Sequence, residues 1–259
     1  MSTENTSDRV PVQSMNRVLK LGFGALAVGL ILLLAGGPLY RFGLVGLGFA
    51  FTLMRYSLYV NLLAAGLCLI GGVLHAKRHG WPRTAGPVVA VCIALAMAYM
   101  PVSLYQQARS VPPIHDISTD TQSPPVFVAL AEMRAEDENP VGYAGEEVAS
   151  KQREAYPDIQ SLYFDADAEN VFAQAEAAAR AMGWEVVAAV AAEGRIEAVA
   201  TTRWFGFRDD VVIRIQPVPG QEQVRLDIRS QSRVGVSDLG ANAKRIRAYR
   251  ERLSRVMEF

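Results

Sequence analysis

Between Asp8 and Asp116 the chain carries no carboxylate side chain. A soluble domain keeps its surface wet with charges of both signs, so a stretch of this length without one acid excludes an ordinary globular fold for the first part of the chain. Three long uncharged runs fill the stretch. Leu21 to Leu39 is flanked by Lys20 and Arg41, Tyr56 to Leu74 by Arg55 and Lys77, and Ala85 to Tyr105 by Arg83 and Arg109. A hydrocarbon core about 30 Å thick takes about 20 apolar residues at a helical rise of about 1.5 Å each. The runs are apolar on every face rather than along one stripe, which separates them from helices of a soluble bundle. They predict transmembrane helices at about 21–39, 56–74 and 85–105, within a membrane domain spanning 18–105.

Phe42 to Met54 is apolar too, but 13 residues are short for a crossing. An interfacial or re-entrant segment is expected there, with an extension of the second helix as the alternative. The tail at 1–17 and the segment just after it carry Arg9, Arg17 and Lys20, and the loop HAKRHGWPR at 75–83 carries Lys77, Arg78 and Arg83 with no acid. Basic loops stay on the cytoplasmic side. The expected topology therefore has the tail and loop 75–84 inside, and everything after Tyr105 outside: a multi-pass inner-membrane protein with a periplasmic C-terminal domain in a bacterium. No intramembrane carboxylate or lysine is available for ion coupling, so a transporter is disfavoured. Asn61 is the one strongly polar side chain within the runs. Small residues at four-residue spacing, Ala25 with Gly29 and Ala90, Ala94 and Ala98, permit close helix packing.

The remainder reverses the charge: residues 1–105 hold eight basic and two acidic residues, whereas 106–259 hold 18 and 24. Residues 106–160 are expected to be a proline-rich acidic arm, extended and partly laid over the domain, because Pro112-Pro113 and Pro124-Pro125 force extended backbone. A short strand is expected at Val126–Leu130, and disorder is the alternative for 131–156. From Ser161 the pattern becomes regular: a strand at 161–164, a helix from about Ala168 to Met182 capped by Asp167 and ended by Gly183, then strands at 184–190, 195–202, 210–216 and 224–230. In the last two strands Val211, Ile213, Ile215, Val224, Leu226 and Ile228 alternate with polar residues, the pattern of a sheet with one packed and one wet face. A helix from Asp238 to Met257 closes the chain. The expected domain at 161–259 is an α+β two-layer fold, an antiparallel sheet with two helices on one face.

Several strings carry a resemblance: RSVPPIHDISTDT at 109–121, SPPVF at 123–127, MGWEVV at 182–187, GRIEAVATTRWFGFRDDVVIRI at 194–215 and RSQSRVGVSDLGANAKRIRAYRERL at 229–253. On these the chain resembles the bacterial family catalogued as domain of unknown function 1499, in its branch with three N-terminal membrane helices. The resemblance implies an inner-membrane protein with an uncharacterised soluble domain and implies no activity. Members of that family often carry a cysteine pair where this chain has PPIHD, so a thiol role does not carry over.

Candidate sites are few. Cys68 and Cys92 both fall in membrane runs, which removes thiol chemistry from the exported domain. His115 is its one histidine; with Asp116 or Asp120 it is a candidate acid–base pair, though no nucleophile elbow accompanies it, and Asp209 with Asp210 is disfavoured as such a pair because adjacent strand residues point to opposite faces. No metal or cofactor is expected. The segment TRWFGFRDD groups Arg203, Trp204, Phe205, Phe207 and Arg208 around Gly206, and aromatics beside arginines on a loop suit a binding patch. Lys244, Arg245 and Arg247 lie on the basic last helix and are candidates for lipid headgroups or an acidic partner, with pairing to the chain's own acidic arm as the alternative. Nucleic acid is not an expected partner for a net-acidic exported domain. The reading is a binding or scaffold domain presented to an envelope protein, lipid or glycan, with a membrane-anchored hydrolase using His115 as the alternative.

Overall fold

The computed structural model describes residues 12–81 and 84–257. Arg9 and Arg83, on which the expected topology partly rests, lie outside the described residues, as does most of the tail at 1–17. The chain divides into two compact units, Met1–Gln106 and Gln107–Phe259.

The first unit contains α1 (Val12–Arg41), α2 (Leu47–His79) and most of α3 (Ala85–Ser110). All three are long and apolar enough to cross a membrane, the pattern of a multi-pass membrane protein. The second is longer than expected. The run at 42–54 is not a separate interfacial segment: a tight turn at 42–46 with Gly43 at φ 69° ends α1, and α2 begins at Leu47. Nothing between Leu47 and Tyr56 breaks a helix, and the added turns bury Ala50 and Met54.

The α1–α2 hairpin is built on a glycine every seventh residue of α1. A Cβ on Gly22 would lie 2.7 Å from Cys68 Sγ, and one on Gly36 would lie 2.9 Å from the Ala50 carbonyl oxygen. Between them, a Cβ on Gly29 would collide with the Asn61 amide. Backbone and side chain therefore meet with no intervening carbon, the close approach that small residues give in lipid. Ala90, Ala94 and Ala98 are buried on α3, and Ala94 clusters with Ala64 and Ala65, with Ala25 packed against them.

The second unit is an antiparallel six-stranded sheet with helices packed against it. Its strands are β1 (Asp116–Ser118), β2 (Leu162–Phe164), β3 (Glu185–Val190), β4 (Arg195–Thr201), β5 (Arg208–Pro217) and β6 (Val224–Ser232), ordered β1-β6-β5-β4-β3, with β2 also on β6. Asp167 caps α6 (Ala168–Ala181), its carboxylate accepting from the Asn170 N–H at 2.7 Å. Gly194, left-handed at φ 59°, turns the chain between β3 and β4 where its N–H and carbonyl face the backbone; a Cβ there would collide with the Ile215 carbonyl. Ile196, Ala198, Val211, Ile213, Leu226 and Ile228 point to one face. There they meet Val171, Phe172 and Ala175 of α6 and Ile246, Tyr249 and Leu253 of α7 (Ala241–Met257). Trp184 stacks on Tyr249 at 5.2 Å, and the Tyr249 hydroxyl donates to the Ala175 carbonyl at 2.9 Å.

The opposite face differs from expectation. It is not wet: Glu197, Asp210, Asp227, Arg229 and Gln231 are all buried. The segment expected to be an arm covers them and belongs to the domain. It contributes β1 to the sheet, and the strand expected at Val126–Leu130 is instead the entry to a one-turn helix, α4 (Ala129–Glu132). The reason is Glu197, whose carboxylate accepts the N–H groups of Val128, Ala129 and Leu130 at 2.9–3.2 Å and so holds them in helical convergence. The stretch 131–156 is ordered and includes α5 (Glu146–Ala155). From α5, Gln152 closes the outer edge of β1: its amide accepts from Ser118 N–H at 2.9 Å and donates to Ser118 carbonyl at 2.6 Å, as a neighbouring strand would.

Candidate functional site

Alternation along β4, β5 and β6 puts arginines and carboxylates of neighbouring strands side by side on the covered face, and the segment 116–145 adds partners from above. Arg229 is the centre. Its guanidinium grips Asp116 with two bonds, 2.9 and 2.7 Å, donates to the carbonyls of Pro125 and Val141 at 3.2 and 2.8 Å, and lies 4.8 and 5.4 Å from the ring centres of Phe127 and Tyr143. One side chain thus ties five points of the covering segment to β6. Burial pushes the Tyr143 hydroxyl up to about 12, with the nearby Asp116 charge adding to it. Beside this, Asp210 pairs with Arg134 at 2.6 Å and with Arg233 at 2.9 Å. At the other end of β6, Asp120 and Asp227 share Arg214 and Arg225. Burial alone would raise the Asp120 carboxyl, but the Ser123 and Gln122 N–H groups and Arg225 hold it below the usual carboxylate value.

This geometry decides what His115 can do. Both oxygens of Asp116 are taken by Arg229, and Asp120 is taken by two arginines and two backbone N–H groups. His115 itself is partly exposed, and its carbonyl accepts from Ser232 N–H and the Asn242 amide, both at 2.9 Å. The carboxylates nearest to it in sequence are therefore committed to arginines. Among the described residues no cluster of three or more His, Cys, Asp or Glu is placed to hold a metal ion.

The loop at 202–207 stands at one end of the sheet. The Gly206 N–H bonds the Thr202 carbonyl at 3.0 Å, and Thr202 Oγ1 accepts from Phe207 N–H at 2.8 Å, which closes the loop on itself. Phe205 is buried and stacks on Phe207 at 5.0 Å, with the rings 4° from parallel. Trp204 meets Phe205 edge-on at 5.1 Å. Trp204 and Phe207 are half-buried, and Arg203 and Arg208 are exposed. Asp209 faces the helix layer and pairs with Arg245, not with its neighbour Arg208, while Asp210 faces the covered side. Adjacent strand residues point oppositely, so the two aspartates do not meet.

On α7 the three basic candidates separate. Arg245 is turned inward to Asp209, Ser230 and Asn242. Arg247 grips Asp158 with two bonds of 2.6 Å and lies over the Tyr156 ring at 5.3 Å. Lys244 is exposed. The pairing with the chain's own acidic segment is thus present at Arg247.

A protein family described as "Protein of unknown function (DUF1499)" matches residues 116–253. The chain belongs to this family. No curated protein matches the chain. The DUF1499 match opens at Asp116, the partner of Arg229, and closes at Leu253 in the core of α7. Its bounds thus take in the covering segment along with the sheet. The residues that organise the DUF1499 domain, Arg229, Glu197, Gln152 and Arg233, were not singled out from sequence. One signal was available. The chain has four lysines against 22 arginines, and β4, β5 and β6 contain arginine and no lysine. Arginine is the cation suited to buried, bidentate pairs.

Proposed function

We propose that this protein is a multi-pass bacterial inner-membrane protein that presents its DUF1499 domain, in the periplasm, as a non-catalytic binding module for an envelope protein. The observation that carries this reading is the end of the sheet bearing loop 202–207. The Arg233 N–H bonds the Arg208 carbonyl at 3.1 Å, and the Arg233 carbonyl accepts from Asn139 N–H at 2.7 Å, so three loops converge there. They present exposed Arg203 and Arg208, part-exposed Trp204 and Phe207, Met133 at 47% and Val236 at 77% exposure, and the acids Glu136 and Asp137. Aromatic rings, arginines and apolar tips match the centre of a protein–protein interface, and the acids match its polar rim. An anionic lipid surface would be repelled by Glu136 and Asp137, which favours a protein over lipid at this end.

The direct experiment is photocrosslinking in living cells from residue 204, in the full chain, with residue 163 on β2 as the control position. One discrete adduct from 204 and none from 163 is expected; the same adducts from both positions would remove the binding surface. Orientation is checked separately. A reporter active only in the periplasm, fused after Phe259, is expected to be active, and an inactive fusion that is stably made would reverse the topology.

A further inference from the structure

Two of the chain's three histidines take no part in the DUF1499 domain. His79 is the last residue of α2 and His75 lies four residues before it. At about 3.6 residues per turn, that spacing puts both side chains on one face, one above the other. Their ring centres are 4.7 Å apart, with the planes tilted by 40°. Two imidazoles that hold one metal ion keep to a narrow range of spacings. A metal–nitrogen bond of about 2.0–2.1 Å puts each ring centre roughly 3.2 Å from the ion, and a ligand angle of about 90–110° then sets the centres about 4.5–5.2 Å apart. The observed 4.7 Å falls inside that range. Chelation therefore needs a turn of the rings and no movement of the backbone. His79 is exposed, so its ring can make that turn. His75 Nδ1 is buried and has no hydrogen-bond partner among the described residues. A buried polar atom without a bond is unfavourable, and an ion coordinated there would supply the partner.

The class of ion follows from the residue types at hand. No carboxylate side chain occurs on α2 or anywhere between Asp8 and Asp116. Magnesium, calcium and manganese select carboxylate and carbonyl oxygen, whereas copper, nickel and zinc are held by neutral imidazole. Lys77 is two residues from each histidine, which places it on the far side of the helix. Lys77 and Arg78 add positive charge to the last turn, and the carbonyl end of α2, which carries the negative pole of the helix dipole, opposes it.

We propose that His75 and His79 form a two-imidazole site for one divalent ion of the copper, nickel and zinc class, with water filling its remaining positions. Such an ion would clip together the last turn of α2, where the chain leaves for α3. The site does not depend on the partner of the DUF1499 domain, and its failure would leave that reading untouched.

The test titrates zinc by calorimetry into the full chain, purified in mild detergent without a polyhistidine tag, and reads a copper(II)-loaded sample by electron paramagnetic resonance. One zinc per chain is expected, with the hyperfine pattern of two imidazole nitrogens on copper. His75→Ala and His79→Ala should each weaken zinc binding at least about tenfold and leave at most one imidazole on copper. His115→Ala, which removes the third histidine, and Cys92→Ser, which removes the exposed thiol, should change neither reading. A double variant separates chelation from histidine content. Lys77→His with His79→Ala keeps two histidines on α2 but sets them two residues apart, on opposite sides, and should bind no better than His79→Ala alone. Zinc affinity unchanged in both single variants, affinity lost in His115→Ala, or affinity restored by the double variant would each overturn the proposal.

Discussion

The two units treat buried polarity in opposite ways. In the membrane hairpin, Asn61 is fully buried against Gly29, and neither its Oδ1 nor its Nδ2 finds a partner among the described residues. In the DUF1499 domain, Asp116, Arg229, Glu197, Asp210 and Asp227 are as deeply buried, and each is bound several times over. The difference follows from what holds each unit together. Helices in lipid gain nothing from leaving water, so the hairpin depends on backbone proximity, and a lone amide is tolerated where glycines permit close packing. The domain folds from water, where an ion desolvated without a partner costs several kcal/mol, so its buried carboxylates are paired with arginines or backbone N–H groups, while single atoms such as the Tyr143 hydroxyl and Arg214 Nε stay without a partner among the described residues.

The largest effect is expected where the domain's polar layer is cut at its centre. Arg229→Ala leaves Asp116 buried without its arginine and releases the carbonyls of Pro125 and Val141 together with the rings of Phe127 and Tyr143. A destabilisation of about 3–5 kcal/mol is expected, read by denaturant unfolding of the domain through its near-ultraviolet circular dichroism, where the Trp184–Tyr249 stack reports. Proteolysis should then begin within 120–145 rather than at the termini. A variant of unchanged stability would mean that the covering segment is held by apolar contacts alone.

The helix-side face was legible because Val, Ile and Leu at every second residue of β5 and β6 can mean only one packed face. The cap at Asp167, the stop at Gly183 and the course of α7 were legible from local chemistry. The covered face was not. Arg214, Arg225, Asp227 and Arg229 alternate with apolar residues just as solvent-facing residues do, and alternation records which side a residue takes, not whether that side is wet. What decides wetness here is a segment about 70–110 residues earlier in the chain, whose prolines and acids looked like linker. Within that segment, α4 has no helical signature of its own, since its cap is the side chain of Glu197 on β4. The membrane unit shows the same split. Its span count was legible from hydropathy, whereas the seven-residue spacing of Gly22, Gly29 and Gly36 was available in the sequence yet obscured by the abundance of small residues.

The hairpin side of the comparison is broken by Gly29→Leu. The new side chain would occupy the space of the Asn61 amide, and overpacking of this kind costs about 1–3 kcal/mol. Loss of α1–α2 proximity, measured by cysteine crosslinking between the helices in bilayers, is the expected result. Asn61→Leu should move the other way: it removes an amide without a partner among the described residues while keeping the branched shape of the side chain, so the hairpin should be unaffected or stabilised by up to about 1 kcal/mol. A clear destabilisation by Asn61→Leu would show that the amide is bonded in the bilayer, and the contrast between the two units would then narrow.

The smallest effect separates the domain's buried pairs from its surface ones. Asp158 grips Arg247 at the rim, with half of its side chain exposed, and the bond to Arg247 holds its carboxyl below the ordinary value of 3.8. A carboxyl lowered by folding contributes stability that is fully present above its unfolded value and is lost as pH falls through its folded one. Asp120, lowered in the same direction, acts alike. Domain stability is therefore expected to be flat from neutral pH down to about pH 4 as far as these two groups are concerned, and to fall below it. Asp158→Asn should cost about 0.2–1 kcal/mol at neutral pH, because a wet ion pair is screened and its side chains remain mobile. It should also make the acid limb slightly shallower. The measurement is the denaturation midpoint of the domain from pH 7 to 3 at two salt concentrations. Salt should erase most of the Asp158→Asn difference and little of the Arg229→Ala one, because water and ions reach the first pair and are excluded from the second.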